Sequence, residues 1–343
     1  MIIVFKPHAR DQEIQQVEEH IRQLGYEPRV IRGVERTVIG AVGDELSHRS
    51  LEILRSMPFV ENVVPIQKRY KLASREYHAE DSVIRIGDRP LGGSHFQVIA
   101  GPCAIESREQ YLQAARDLTA AGVRIMRASL YKPRTSPYDF QGLGKAGLDI
   151  VREAKETYPL AVVTEVVAPE QVPEVAEVAD ALQIGARNCQ NYHLLSKVTD
   201  AGRPVILKRG MAATVEEWLS AAEYLLVHGC AQVVLCERGI RTFETSTRNT
   251  LDISSVAVAQ RETHLPVIVD PSHAAGHHAL VLPLAKAAIA VGANGLLIEA
   301  HPNPVAALSD GFQQLPSHDF HNVMHALAPF VELAGKTMEE NRS

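Results

Sequence analysis

Seven basic residues each follow a short run of β-branched and aliphatic residues in the chain. Arginine and lysine are the usual partners of phosphate and carboxylate groups. Because bringing so many like charges together is unfavourable unless anions neutralise them, the set predicts a site for a polyanionic substrate. The residues are Arg127, Lys132, Arg134, Arg187, Lys208, Arg209 and Arg238. For a single cation, pairing with Glu165, Glu237 or Asp270 is the alternative.

Four other residues with metal-binding side chains follow the first, seventh and eighth of these runs. They are Cys103, His273, Glu299 and Asp310. One thiolate, one imidazole and two carboxylates together suit a divalent ion of Mn, Fe, Co or Zn. Because these residues are distant in sequence, their grouping depends on the fold, and Cys103 could equally be a small buried core residue. His277, His278 and His301 are competing imidazoles, although the first two stand at a helix start, where a capping role is favoured.

From Phe96 onward, eight short apolar runs alternate with helical stretches, and a last helix is predicted near Phe320 to Lys336. This order predicts an α/β fold, a (β/α)₈ TIM barrel over residues 96–343. Chemistry in such barrels lies at the carboxyl ends of the strands, and strand eight neighbours strand one when the barrel closes. The basic and the metal-binding residues are therefore expected at one mouth.

Residues 1–70 show a different order of strand, helix, strand, strand, helix and strand, which is typical of a ferredoxin-like βαββαβ domain. The helices are predicted over Gln12 to Leu24 and Ser47 to Arg55. Residues 71–95 are predicted to be a charged linker followed by a β-ribbon that turns at Gly87 and Asp88. Because few polar groups of the first domain stand at strand ends where they could do chemistry, a packing or small regulatory role is favoured.

Length and charge limit the function further. The 343 residues suit one small domain plus a barrel of about 250 residues. The net charge of -6 argues against nucleic acid or an anionic membrane surface as the main partner. No apolar stretch fits a membrane span or a signal peptide. The four cysteines include no CxxC pair, which favours a reduced, cytoplasmic compartment and a packing role for Cys189, Cys230 and Cys236.

Six segments of the barrel region stand out, namely AGPC, KPRTSPYDFQGLG, QIGARN, LKRG, CERGIRTFE and DPSH. They resemble the type I 3-deoxy-D-arabino-heptulosonate 7-phosphate (DAHP) synthases, and the resemblance runs from about residue 83 to the C-terminus. KPRTS is the distinguishing motif, because the related 3-deoxy-manno-octulosonate 8-phosphate synthases have an Asn inserted there. The resemblance implies a transferase, 3-deoxy-7-phosphoheptulonate synthase, which condenses phosphoenolpyruvate with erythrose 4-phosphate in the first step of the shikimate pathway to the aromatic amino acids.

The resemblance also implies roles for individual residues. Five cations would hold phosphoenolpyruvate, namely Arg127, Lys132, Arg187, Lys208 and Arg238. Arg134 and Thr135 would receive erythrose 4-phosphate. One divalent metal ion per subunit would be ligated by Cys103, His273, Glu299 and Asp310. The catalytic set is Lys132, Glu165 and His273, in which Lys132 is the candidate proton donor, and Glu165 or a water at the metal would activate the attacking water.

Residues 1–70 resemble the ferredoxin-like regulatory domain of one subgroup, in which aromatic amino acids inhibit the enzyme. Tyrosine or phenylalanine is therefore the expected effector, and a homotetramer is expected because family members are commonly tetramers. Two alternatives remain. One is an octulosonate 8-phosphate synthase that uses arabinose 5-phosphate, and the other is a catalytically inactive barrel that senses a small molecule.

Overall fold

The chain begins with a four-stranded antiparallel sheet in the order β2-β3-β1-β4. Its strands are β1 Ile2–Phe5, β2 Glu27–Arg32, β3 Thr37–Val42 and β4 Val60–Val64, with helix α1 Asp11–Gln23 and a 3₁₀ helix Leu51–Ser56. Alternate strand residues such as Ile3, Phe5 and Ile39 are buried with both helices in one apolar core, as the period of two of a strand requires. The predicted ferredoxin-like fold is confirmed.

The structure, a computed structural model, describes residues 1–33, 36–43, 50–64, 69–133 and 136–338. It divides into two units, residues 1–69 and 70–343. Arg134 and Thr135, and the first residues of the helix predicted from Ser47, lie outside the described residues. At the start of the second unit, β5 Ile84–Ile86 and β6 Arg89–Leu91 form the predicted ribbon.

Eight parallel strands then form a closed barrel in which each strand pairs with the next and the last pairs with the first. They are β7 Gln97–Gly101, β8 Ile125–Arg127, β9 Ala161–Val166, β10 Ala181–Ile184, β11 Val205–Lys208, β12 Val233–Glu237, β13 Val267–Val269 and β14 Gly295–His301. A two-residue strand, β15 Leu315–Pro316, extends the sheet beside β14. Closure pairs Ile298 with Ala100, so the predicted TIM barrel is confirmed.

Helices surround the barrel and bury their apolar faces against it. They are α2 Arg108–Ala120, α3 Leu148–Thr157, α4 Val172–Ala176, α5 Tyr192–Val198, α6 Val215–Val227, α7 Ile253–Glu262, α8 Pro271–Ala275, α9 His278–Ala290 and α10 Phe320–Leu333. A second core fills the barrel interior with residues such as Ile99, Val163 and Ile268. Among the described residues, no helix has the length and apolar character needed to cross a membrane.

Residues 70–82, which include most of the segment Lys68 to Asp81 predicted from its charge to be a linker, are hydrogen-bonded along the barrel. The backbone amides of Leu72 and Ala73 donate to the Glu223 carboxylate of α6 at 2.9 and 2.8 Å. The imidazole of His264 lies 2.8 Å from the carbonyl oxygen of Leu72 and 2.7 Å from the hydroxyl of Ser82. These contacts make the segment part of the barrel unit.

Candidate active site

A cavity of about 350 Å³ opens at the carboxyl ends of the barrel strands, as the fold predicts. Its lining is rich in positive charge although the chain as a whole carries a net charge of -6. The basic residues among its described lining are Arg127, Lys132, Arg187, Lys208, Arg238, Arg241 and Arg248. Only three acidic residues accompany them in that described lining, Asp139, Glu165 and Asp310. The excess of cations favours an anionic ligand.

Two of the buried arginines have donors without partners. Within the described chain, Nε and Nη1 of Arg127 and Nη1 of Arg238 make no hydrogen bond. Arg127 Nη1 lies 3.0 Å from Glu299 Oε1, which makes an ion pair without hydrogen-bond alignment. Because a buried N–H group without a partner is unfavourable, an anion that accepts these donors would bind with a gain in free energy.

Lys208 and Arg209 are neighbours in sequence but differ in their surroundings. Lys208 lines the cavity and donates a short hydrogen bond to the buried Asp270. Arg209 Nη1 lies 3.0 Å from Glu237 Oε2 and 2.8 Å from Asp252 Oδ2, and Arg209 is not among the described lining residues. Successive strand residues point to opposite faces, which explains the difference. The alternative of pairing with carboxylates therefore applies to Arg209, which is outside the described cavity lining.

Lys132 and Glu165 are both buried and both line the cavity. Burial alone would lower the pKa of Lys132, but the acidic groups that face it, Glu165 and Glu299 among them, outweigh burial and raise that pKa. The lowered pKa expected of a lysine among cations is therefore not found, because acidic groups also face it. Glu165 Oε2 accepts a hydrogen bond from Gln183, its neighbour in the β9–β10 register, at 3.3 Å.

Glu165 owes its position to a glycine. A Cβ atom added at Gly185 would lie 2.2 Å from Glu165 Oε1, so the carboxylate occupies the space that a side chain there would fill. Gly185 has an ordinary backbone conformation, with φ -67° and ψ 158°, and follows β10 directly. The glycine is needed for close approach of the carboxylate rather than for an unusual turn.

Three of the predicted metal ligands form one cluster. The ligand atoms of Cys103, Glu299 and Asp310 all lie within 4.8 Å of one another. Cys103 Sγ lies 3.2 Å from Asp310 Oδ2, and burial raises the pKa of this thiol to about 12. Glu299 is fully buried, and its Oε1 has no hydrogen-bond partner among the described residues. A soft sulfur beside two hard oxygens, one of them unsatisfied, fits a divalent transition-metal ion, which would also favour the thiolate.

His273, the fourth predicted ligand, lies beside this cluster. Its Nε2 is 3.5 Å from Glu299 Oε1, and its Nδ1 is 2.7 Å from Asp270 Oδ2. Because a carboxylate accepts the proton of Nδ1, the lone pair of Nε2 is directed toward the cluster. Asp310 has φ 51°, in the left-handed region that residues with a side chain seldom adopt. Such strain often marks a functional position.

Two of the competing histidines contact groups outside the Cys103, Glu299 and Asp310 cluster. His277 caps α9 by accepting a hydrogen bond from the amide of Ala279 at 3.2 Å, as its position predicted. His301 Nε2 lies 3.3 Å from a carboxylate oxygen of Glu106. The remaining cysteines, Cys189, Cys230 and Cys236, are free and buried, which agrees with packing.

Arg241, Arg248 and Asn249 line the cavity but were not predicted. They belong to the loop after β12, which returns to the mouth through the antiparallel bridge between Ile240 and Thr250. A prediction based only on the first residues after each strand does not include these three residues, because they lie further along the loop. Their signal was the segment CERGIRTFETSTRN, in which basic residues recur beyond the strand end.

Comparison with known proteins identifies the family of the chain. The family described as DAHP synthetase I matches residues 76–332, and the DAHP synthase ferredoxin-like domain matches residues 1–68. The chain belongs to the DAHP synthetase I family. Phospho-2-dehydro-3-deoxyheptonate aldolase of Thermotoga maritima is 48% identical over 335 residues, which covers 98% of this chain and 99% of the relative. The family predicted from the sequence is confirmed.

Solved structures agree with this membership of the DAHP synthetase I family. The crystal structure of the Thermotoga maritima aldolase (DAHP synthase) has a TM-score of 0.94 at 46% identity, covering 98% of this chain and 99% of that one. A truncated form of the Thermotoga maritima synthase covers 79% of this chain and all of its own length, with a TM-score of 0.74 and 46% identity. By contrast, 2-dehydro-3-deoxyphosphooctonate aldolase of Acidithiobacillus ferrooxidans is 34% identical over 250 residues, covering 68% of this chain and 88% of the relative.

Proposed function

We propose that the cavity at the barrel mouth condenses phosphoenolpyruvate with erythrose 4-phosphate and water to give DAHP and phosphate. The observation that carries this proposal is the group of basic side chains that line one cavity beside the Cys103, Glu299 and Asp310 cluster. Two phosphates and one carboxylate require many donors, and the cavity supplies them. As a member of the DAHP synthetase I family, the chain is a transferase of the shikimate pathway to the aromatic amino acids.

Phosphoenolpyruvate is held by five cations, Arg127, Lys132, Arg187, Lys208 and Arg238. The unpaired donors of Arg127 and Arg238 support this assignment, because phosphate and carboxylate oxygens would satisfy them. Arg134 and Thr135 receive the phosphate of erythrose 4-phosphate, an assignment that rests on the KPRTS motif. Fixing both substrates in one orientation removes much of the entropic barrier to their reaction.

In the reaction, C3 of phosphoenolpyruvate forms a bond to the aldehyde carbon of the acceptor. Water adds at C2, and the C2–O bond breaks to release phosphate and leave a ketone. Lys132, whose pKa is raised, is protonated at neutral pH and donates a proton to the developing alkoxide. Glu165 accepts a proton from the attacking water, since it is a buried carboxylate in the cavity lining. The arginines stabilise charge on the leaving phosphate.

Cys103, His273, Glu299 and Asp310 hold one divalent metal ion per subunit, drawn from Mn, Fe, Co and Zn. When bound, the ion supplies Lewis-acid polarisation of the acceptor aldehyde. Asp270 keeps the His273 ring oriented through the Nδ1 contact of 2.7 Å.

The test is the choice of acceptor. Purified full-length protein is incubated with phosphoenolpyruvate and either erythrose 4-phosphate or arabinose 5-phosphate, and released phosphate is measured. We expect kcat/KM to be at least ~10²-fold higher with erythrose 4-phosphate, the scale on which a misplaced polar substrate is rejected. Comparable values would refute the proposed acceptor, a preference for arabinose 5-phosphate would favour an octulosonate synthase, and no turnover with either sugar would favour a sensor.

We further propose that residues 1–70 form a regulatory domain for tyrosine or phenylalanine and that residues 96–343 form the catalytic barrel, to which residues 71–95 with the ribbon are attached as part of the barrel unit. The match of the ferredoxin-like domain of DAHP synthases supports the first assignment. A homotetramer stays a prediction that sedimentation would check, and a cytoplasmic location stays a prediction from the cysteines.

A further inference from the structure

The guanidinium of Arg248 connects the two carboxylates of the cluster. Its Nη1 lies 3.2 Å from Oδ1 of Asp310, so that Oδ2 of Asp310 is left facing Cys103 Sγ at 3.2 Å. The same Nη1 donates to Oε1 of Gln313 at 2.9 Å. Nη1 of Arg248 therefore contacts both Oδ1 of Asp310, a proposed metal ligand, and the amide oxygen of Gln313.

The Gln313 amide extends this connection to Glu299. With its oxygen accepting from Arg248, its Nε2 is turned toward Glu299 and donates to Oε2. That contact occupies one oxygen of Glu299 and leaves Oε1 without a hydrogen bond, on the side where Arg127 and His273 lie. Arg248 therefore fixes which oxygen each carboxylate presents to the cluster.

The backbone around Arg248 is tied to the helix that carries His273. The amides of Arg248 and Asn249 donate to the carbonyl oxygens of Ala275 and Ala274 at 3.2 and 2.9 Å. The Asn249 side chain donates to the carbonyl oxygen of His273 at 3.0 Å. The close approach depends on Gly276, where a Cβ atom would lie 2.5 Å from Cβ of Arg248. The loop after β12 is thus anchored to α8 at the backbone of Arg248 and Asn249.

We infer that Arg248 is a positioning residue that sets the affinity of the site for its metal ion, by orienting Asp310 directly and Glu299 through Gln313. This inference rests on the proposed function, because it takes those carboxylates as ligands. Partners of this kind commonly change metal affinity by about 10–100-fold. The side chain of Arg248 is 38% exposed, so its ion pair contributes little to folding stability.

The loss of an orienting contact and the loss of a positive charge should change the metal affinity in opposite directions. Removing a positive charge near a cation site should by itself tighten the binding of the cation. Loss of an orienting contact should weaken it instead. A substrate-binding role would raise the KM of a phosphorylated substrate without changing the metal dissociation constant, and a merely structural role would lower the melting temperature.

The experiment uses full-length protein stripped of metal and titrated with Co²⁺. Thiolate-to-cobalt absorption reports ligation by Cys103, and competition with a chromophoric chelator gives the Kd. We expect Arg248→Gln to raise the Kd by about 10–100-fold with little change in melting temperature, and Arg248→Lys to restore part of the affinity. Arg241→Gln is the matched control, since Arg241 lines the same cavity and its side chain makes no ion pair within the described chain. It should leave the Kd unchanged or slightly lower.

Gln313→Leu provides a second variant that leaves the Arg248 contact to Asp310 in place. It should also raise the Kd, and the double variant should show less than the sum of the two effects, because both residues act on Glu299 through one path. A Kd for Arg248→Gln within twofold of the wild-type value overturns the inference, as does an equal rise in Arg241→Gln. If the wild-type protein shows no Cys103-dependent cobalt absorption, the metal assignment of the proposed function fails first.

Discussion

At the scale of single residues, Gly185 gives a direct test of Glu165. We predict that Gly185→Ala lowers kcat by about 10²-fold, because the new methyl group displaces the carboxylate and misplacement of about 1 Å has that effect. The backbone at Gly185 is ordinary, so folding should be preserved. Steady-state release of phosphate and thermal unfolding measure the two effects.

Gly40→Ala is the matched control for this substitution. The nearest atom to a Cβ at Gly40 is 3.8 Å away, so the change is accommodated without strain. A wild-type kcat in Gly185→Ala would show that the position of the Glu165 carboxylate is not critical.

The Cys103 cluster predicts a requirement for a divalent ion. Exhaustive chelation should abolish turnover, and Mn²⁺ should restore it. Cys103→Ser should weaken binding of the softer ions Co²⁺ and Zn²⁺ more than that of Mn²⁺, because a hydroxyl is a harder ligand than a thiolate. Isothermal titration of metal-free protein measures the affinities. Cys236→Ser, at another buried cysteine, is the control, and full activity without metal would contradict the assignment.

At the scale of elements, the contact between residues 70–82 and the barrel predicts a pH-dependent stability. Burial lowers the pKa of His264, and His78 and Arg75 lower it further, which together outweigh the opposite effects of the hydrogen bond to Leu72 and of Asp81. The unfolded chain therefore binds a proton near pH 6.5 that the folded protein binds only at lower pH. The free energy of unfolding should therefore be highest above about pH 6.5 and should decrease as the pH falls below that value.

His264→Gln should remove this dependence. Urea unfolding at pH 7.5 and pH 5.5 measures the free energy of unfolding. The quantity compared is the decrease in this free energy between the two pH values, because the variant also loses hydrogen bonds and is less stable at both. We expect a smaller loss for His264→Gln than for the wild-type protein. The exposed His321→Gln should lose as much as the wild type, and equal losses in all three proteins would refute the role of His264.

The elements of the barrel were predictable because hydrophobic periodicity is a local signal. The strand ends also located Cys103, His273, Glu299 and Asp310, since the fold brings together whatever follows its strands. The hydrogen bonds of residues 70–82 to the barrel were not predictable, because their partners, such as Glu223 and His264, are far away in sequence. The same reason hid Arg248, whose role depends on a loop that folds back over α8. Arg209 shows a further limit of prediction from sequence, because neighbouring residues at a strand end can point to opposite sides, one toward the cavity and one away from it.

At the scale of the whole molecule, the two units have separate cores. Residues 1–69 bury their own apolar cluster, which includes Ile3, Val17 and Leu54. The barrel unit has clusters inside the strands and beneath the helices. A truncated form of the Thermotoga maritima synthase has been solved with a chain that covers 79% of this one. These observations support an experiment in which the barrel is produced alone.

Residues 1–69 are predicted to regulate the enzyme without taking part in its chemistry. A protein that begins at Tyr70 should keep most of its turnover of phosphoenolpyruvate and erythrose 4-phosphate, because every proposed catalytic residue lies in the barrel unit. It should lose inhibition by tyrosine or phenylalanine, since an allosteric effector acts only through the unit whose states it distinguishes. Steady-state inhibition of both proteins measures this, and sedimentation shows whether assembly has changed. If neither amino acid inhibits the full-length enzyme at millimolar concentration, residues 1–69 are not regulatory in this way; if the truncated enzyme stays equally inhibited, the effector binds the barrel.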